Sequence, residues 1–263
     1  MHLKVCITLG ELLNIHLKTL QVLRRMRLTI APKDIPSEYY VARGVLKSDV
    51  VKTKALKLPA DPYMHLILNQ FRAPKVGPQW PAPYDQLGSR AHAFLVKSLD
   101  AEMRRIANDF PKIKILHGPL SINRKWGKTT SVLMLDPDGV FFELIEIDPR
   151  GPYFSRELGV PSPDEKSWLH FMYNSEDVTE TLRFYKSFGL SHDNRVDFRD
   201  GVGFYPYTLE KFAKEHKDAM SMVIGNSVRN EFLRNLNDPS NMHLELLAYK
   251  KGKMFLPQAQ RSP

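Results

Sequence analysis

The sequence predicts an α+β protein built from repeated β-α-β-β-β modules. Three observations carry that expectation. The order strand, helix, strand, strand, strand runs from Ala91 to Ile147. The same order begins again at Trp168, after a stretch rich in Pro and Gly. Three strand endings line up as an internal repeat: "HLILNQF" from His65, "FFELIEI" from Phe141 and "HLELLAY" from His243.

The elements follow from local pattern. Val50 to Leu58 alternates apolar and polar residues, Pro59 to Pro62 turns, and Met64 to Phe71 returns, which reads as a hairpin. Ala73 to Gly88 contains Pro74, Pro78, Pro81 and Pro83 and reads as a connector. Ala91 to Val96 is strand-like. Asp100 to Phe110 places Met103, Ile106, Ala107 and Phe110 on one helical face. Strands are expected at Ile113–Leu116, Thr129–Leu135 and Val140–Ile147, the last entered through the turn residues Asp136-Pro137-Asp138-Gly139. In the second copy, Trp168–Tyr173 is a strand and Val178–Phe188 a helix ending at Gly189. Further strands are expected around 195–198, 202–207, 220–224 and 242–249, with helical insertions at 209–216 and 230–236. The division is then 1–150, an N-terminal pair of modules with the first incomplete and the second at about 88–148; a linker, 151–164; and 165–263, a single module with insertions.

Composition narrows the function classes. The chain has 263 residues, a quarter of them charged, and a net charge of +9. That surplus attracts anions, but the basic residues are dispersed and no nucleic-acid-binding signature is present, so no nucleic-acid partner is expected. No apolar run approaches the roughly 18 residues of a membrane span. The single cysteine, Cys6, excludes an internal disulfide framework and a cysteine-based zinc site, which suits a reducing, cytoplasmic setting. Met1 to Leu28 is basic and amphipathic; it reads as a helix of the first module, with an organelle presequence as the alternative.

The stretches "DPDGVFFELIEID" from Asp136 and "HFMYNSEDVTETLRFYKSFGL" from His170 carry a resemblance. The second has a His, an Asp seven residues on, then Phe-Tyr and Gly-Leu. Together they resemble the vicinal oxygen chelate superfamily, whose members include glyoxalase I, extradiol dioxygenases, fosfomycin-resistance proteins and bleomycin-binding proteins. The resemblance covers about residues 50 to 250. It implies cup-shaped mixed sheets with helices outside, each cup made by two modules paired in sequence order. It identifies fold better than reaction.

Metal-dependent members place ligands on the first and last strands of a module. Carried over residue by residue, the resemblance makes His170 and Glu245 metal ligands and puts Glu143 on a ligand column. It thereby makes Glu245 a catalytic candidate, and Glu143 a candidate ligand or base. The implied cofactor is a divalent metal, Fe, Mn, Ni or Zn, which N and O donors on neighbouring strands suit. The implied substrate is a small oxygenated molecule with two adjacent oxygens. The enzyme reading is a metal-dependent isomerase, lyase or ring-cleaving dioxygenase. The alternatives are a metal-free binding or sequestering protein and a truncated inactive relic.

The remaining columns are less complete. With Val96-Lys97-Ser98-Leu99 aligned to the family's usual valine-acid-acid-leucine, the resemblance places Ala91, not His92, on the inner side with Glu143, leaving His92 beside Phe94 and Val96. Ile67 occupies the column of Glu143 and Glu245 and is expected to pack inward. His243, two residues from Glu245, shares its strand face; His65 is its equivalent. Lesser candidates are Arg124, Lys125, Trp126 and Lys128 for anions, Trp80 and Tyr84 at the cup mouth, Tyr185, Tyr205 and Tyr207. With the first and middle modules paired, the last lacks a partner. The resemblance implies a four-module ancestor shortened at both ends, a gene model with missing exons, or a homodimer through residues 165–250, bringing two His and two Glu to one axis.

Overall fold

A computed structural model describes residues 29–30, 47–59, 61, 64–72, 84, 86–124, 127–151, 166–193, 228–238 and 242–249. Two sheets organise them. A small antiparallel sheet has the order β1 (Thr29–Ile30), β2 (Val50–Lys57), β3 (Leu66–Phe71). The other elements are β4 (Gly88–Leu95), α1 (Leu99–Asp109), β5 (Lys114–Arg124), β6 (Gly127–Leu135), β7 (Phe141–Ile147), β8 (Ser167–Asn174), α2 (Val178–Ser187), β9 (Ser191–His192), β10 (Val228–Arg234) and β11 (His243–Tyr249). Their strands form one eight-stranded sheet, ordered β5-β6-β7-β4-β8-β11-β10-β9. Each half is a βαβββ unit whose first and last strands run parallel, β4 beside β7 and β8 beside β11. A parallel pair needs a crossover, and the helix begins it. The fold class is α+β, as the element order predicts.

The two halves join through β4 and β8, which pair antiparallel. This corrects the expected pairing of modules. The middle segment partners the last one, not the first, so residues 167–249 are not left with an open sheet. The physical motive for a dimer through 165–250 disappears with it. A second correction concerns 230–236: Val228–Arg234 is a strand, because Phe232 and Leu233 must alternate between the two buried faces of the sheet. Among the described residues no helix is long and apolar enough to cross a membrane. The expectations at 1–28, 195–198, 202–207, 209–216, 220–224 and for most of the linker lie outside the described residues.

Both helices cover the same face. Leu99 and Ile106 of α1 join Phe94, Val96, Val132, Met134, Phe142, Leu144 and Trp168 in one buried cluster. Val178 and Leu182 of α2 pack with Leu233, Leu244 and Leu246. The β2–β3 hairpin adds Leu56, Leu58, Leu66 and Leu68 to the α1 cluster. Leu66 and Leu68 therefore hold the core phase, and Ile67 between them is only half-buried. The expectation that Ile67 packs inward fails because this hairpin lies on the outer layer and contributes its leucine face.

The helix starts show why two acids stand where they do. Asp177 is the N-cap of α2: its Oδ1 accepts the Thr179 and Glu180 amides at 2.8 and 3.1 Å. Its place seven residues after His170 is thus a capping requirement. Glu146 faces the outer layer, where its Oε2 accepts the Leu99 amide at 2.7 Å, while Ser98 caps through Ala101. Otherwise unsatisfied amides of the first turn gain a charged acceptor. Replacing Glu146 with Ala should cost about 1–2 kcal/mol, seen as a lower urea midpoint. An unchanged midpoint would show that water serves the Leu99 amide equally well.

Candidate functional site

The inner face, opposite the helices, brings the three sequence-predicted acids and bases together. Glu143 comes from β7, His170 from β8 and Glu245 from β11. The strand between the first two is β4, and Ala93 is the register partner of both Glu143 and His170. Its methyl group is too small to separate them. Glu143 and His170 thus meet across a fully buried alanine. On the other side, His170 pairs with His243 and Met172 with Glu245. Same-face neighbours on adjacent strands are within side-chain reach, and Glu245 reaches His170 from there.

A β-bulge aims the histidine. Trp168 pairs with Phe94 and His170 with Ala93, leaving Leu169 extra. Two residues apart on a regular strand share a face. Here Trp168 lies in the outer core, while Leu169 packs with Ala93, Leu95, Ile145, Ile147 and Phe232 on the inner side. The bulge changes the phase and puts His170 inside with Leu169.

The geometry is tight. His170 Nε2 lies 3.0 Å from Glu245 Oε2 and 3.7 Å from Glu143 Oε2. Burial pushes the His170 pKa down, but Glu245, foremost, and Glu143 oppose it; the net result is a rise to about 9. At neutral pH the imidazole is a cation between two carboxylates. Glu245 is 2% exposed and Glu143 15%, so Glu143 is the carboxylate that reaches solvent. Phe232 sets its ring edge-on to His170 at 5.5 Å.

Behind this trio lies a second polar group. His243 Nε2 meets Asp193 Oδ2 at 2.8 Å and its Nδ1 faces the Leu169 carbonyl at 3.3 Å. Arg234 Nε lies 3.3 Å from the same Asp193 oxygen. Burial lowers the His243 pKa against the opposing Asp193 charge. Asp193, Arg234 and Phe232 escaped the sequence reading. Arg234 and Phe232 lie in a segment whose polar residues mask its strand pattern, and Asp193 in one without a motif.

His92 takes no part. Its ring stands 5.3 Å from Phe94, 6.1 Å from Phe142 and 5.9 Å from Trp168, in the outer core. Ala91 and Ala93 hold the inner side, as the alignment of Val96-Lys97-Ser98-Leu99 predicts. Tyr185 packs against Tyr173, Lys128 is exposed on β6, and His65 is exposed before β3. Tyr84 is buried against the inner face. Cys6, Trp80, Lys125, Trp126, Tyr205, Tyr207 and the side chain of Arg124 lie outside the described residues.

Among the described residues no group of three or more His, Cys, Asp or Glu side chains is arranged to hold a metal ion. As placed, His170 Nε2 lies against Glu245 Oε2 at 3.0 Å, so an ion would have to take the place of that contact and of the Nε2 proton.

No protein-family model matches the sequence, and no curated protein matches it either. Solved structures do. A glyoxalase I variant from Zea mays superposes with a TM-score of 0.52 at 14% identity, over 89% of this chain and 65% of that one. A second glyoxalase I variant from Zea mays gives 0.52 at 14% identity, over 91% and 64%. This chain therefore spans a little under two thirds of the length of those structures. A 4-hydroxymandelate synthase variant from Streptomyces coelicolor gives a TM-score of 0.42 at 12% identity, over 94% of this chain and 69% of that one. The βαβββ halves joined through their first strands, the helices on one face and the two Zea mays superpositions agree: this chain shares the fold of those glyoxalase I structures.

Proposed function

We propose that the inner face binds a small, oxygenated organic molecule and moves a proton on it, an isomerase- or lyase-type reaction with Glu143 as the base. The observation that carries this reading is the position of His170 Nε2 between two carboxylates from different strands, one buried and one reaching solvent. Glu143 takes a proton from a hydroxyl-bearing carbon beside a carbonyl. The electron pair of that C–H bond forms the C=C bond of an enediolate while the carbonyl π pair passes to its oxygen; the hydroxyl proton then moves to that oxygen, a new carbonyl forms where the hydroxyl was, and Glu143 returns its proton to the former carbonyl carbon. The His170 cation offsets the charge that develops on the enolate oxygen. Glu245 keeps the imidazole charged and fixes its orientation.

A second reading keeps the metal. It rests on N and O donors from three strands lying close together: Glu143, His170 and Glu245 would hold Fe(II), Mn(II), Ni(II) or Zn(II) once His170 lost its Nε2 proton and the side chains turned toward a common point, and the reaction would be that of a metal-dependent isomerase, lyase or ring-cleaving dioxygenase. Such an ion supplies Lewis-acid polarisation of a substrate oxygen.

One experiment addresses both. Protein purified without chelators is analysed for metal, then incubated in D2O with dihydroxyacetone, an uncharged α-hydroxy ketone, and deuterium uptake at carbon is followed by NMR. The first reading expects uptake in metal-free protein, falling on the order of 100-fold or more in Glu143→Gln. Uptake that needs stoichiometric metal favours the second. No uptake above buffer with or without metal, or full uptake by Glu143→Gln, contradicts proton transfer by Glu143.

A further inference from the structure

We propose that His243 is a positioning residue for His170: its imidazole grips the bulge of β8 at the Leu169 carbonyl and so keeps His170 on the inner face between Glu143 and Glu245; this rests on the reading of that trio as the reacting site. The bulge needs a holder. Trp168 is buried in the outer core, and alternation from it would carry His170 to the same face. The extra Leu169 reverses that phase at the cost of a regular ladder. Among the described residues, His170 Nδ1 is buried and finds no hydrogen-bond partner. No side chain therefore orients the ring from that end, and the backbone of β8 sets where it stands.

His243 is placed to do this. It is the register partner of His170 on β11, and it shares the inner face with Glu245, two residues on. Its Nδ1–H donates to the Leu169 carbonyl at 3.3 Å, and its Nε2 meets Asp193 Oδ2 at 2.8 Å. Asp193 and His243 share the proton of the second contact, so Nδ1 keeps its own whichever of the two holds it. Asp193 is fixed in turn: its amide donates to the Phe232 carbonyl at 2.9 Å, and Arg234 Nε lies 3.3 Å from the same carboxylate oxygen. Asp193, Arg234 and His243 are all buried. Phe232 stands edge-on to both rings, 5.5 Å from His170 and 6.1 Å from His243. The contacts thus run from Arg234 through Asp193 and His243 to the residue that turns β8, and end at the imidazole of the trio. One strand, β11, supplies the buried carboxylate and holds the histidine within its reach.

The test compares His243→Phe, which keeps a ring and loses both nitrogens, with His243→Asn, whose side-chain amide takes the place of Nδ1 and can donate to Leu169. His243→Leu covers the case in which His243→Phe does not fold. The readout is the nuclear Overhauser cross-peak between the His170 and Phe232 rings in the full chain, assigned through His170→Ala and Phe232→Leu. Wild type and His243→Asn should show it. His243→Phe and His243→Leu should lose it, since a change of phase moves the ring to the other face. Deuterium uptake by dihydroxyacetone should fall on the order of tenfold or more in His243→Phe and recover toward wild type in His243→Asn. A cross-peak kept in His243→Phe or His243→Leu, or absent from wild type or His243→Asn, overturns the grip. Uptake undiminished in His243→Phe, with Glu143→Gln inactive, overturns the positioning role. If the cross-peaks follow expectation while no protein promotes uptake, or Glu143→Gln promotes it fully, the grip stands and the reaction reading falls.

Discussion

Replacing His170 with Ala should destabilise the protein by about 3–5 kcal/mol at pH 6.5, because it leaves Glu143 and Glu245 facing each other in a buried site with no cation between them. Urea unfolding of the two proteins measures it. The loss has a characteristic pH course. His170 is raised from its ordinary 6.5 to about 9. Folding therefore takes up a proton between those values, and stability falls as pH rises through them. The contribution is fully present below pH 6.5 and gone above about pH 9, so the gap between wild type and variant should close from neutral pH upward. Glu245→Gln added to His170→Ala should recover part of the loss, since it removes one of the two uncompensated charges. A gap that is constant from pH 6 to 9.5, or no recovery in the double variant, would mean that His170 acts by packing against Phe232 and not by charge.

His92 should show the opposite course. Its burial among Phe94, Phe142 and Trp168, with the His170 charge adding, pushes its pKa down to about 4. The unfolded chain takes up this proton near pH 6.5 and the folded chain does not until about pH 4. Stability from this group is present above 6.5 and is lost as pH falls toward 4, by about 3 kcal/mol in all. His92→Phe keeps an aromatic ring in an aromatic cluster and removes the titration. The variant should match or exceed wild type at pH 7, because Nδ1 of His92 is buried without a hydrogen bond. At pH 4.5 it should be more stable by about 2–3 kcal/mol. Chemical denaturation at the two pH values checks this; equal effects at both would mean that His92 titrates alike in the folded and unfolded chain and that its pKa is not lowered.

The fold was legible where one face of an element is apolar and the other is not. The strands from Ala91 to Ile147, the helix through Ile106 and the strand at His243 each carry that pattern, and each forms within a few residues of the expected bounds except β5, expected to end at Leu116 and running on to Arg124. The repeated strand endings were a sound guide to Glu143 and Glu245, because a repeated pleat puts equivalent residues on equivalent faces. They misplaced Ile67, since a repeat in sequence does not fix which layer a hairpin packs against. Pairing of the halves was not legible either. Whether β4 adds to β8 or to an earlier segment depends on long-range contacts that no local pattern records. The bulge at Leu169 is a similar case: alternation alone would put Trp168 and His170 on one face, and only the register with Ala93 and Phe94 shows that they part. Val228–Arg234 looked helical because Asn230, Glu231 and Arg234 are polar, yet Glu231 is buried against His192 and Arg234 against Asp193. Polar residues that pair inside a sheet erase the alternation by which a strand is read.

The most direct test is an NMR titration of the His170 imidazole in metal-free protein, assigned through the His170→Ala variant. The account predicts an apparent pKa near 9, falling toward the ordinary histidine value in Glu245→Gln, the carboxylate nearest to Nε2. A His170 that titrates at or below 6.5 in wild type would contradict a charged imidazole held between Glu143 and Glu245, and with it the proton-transfer site built on that charge.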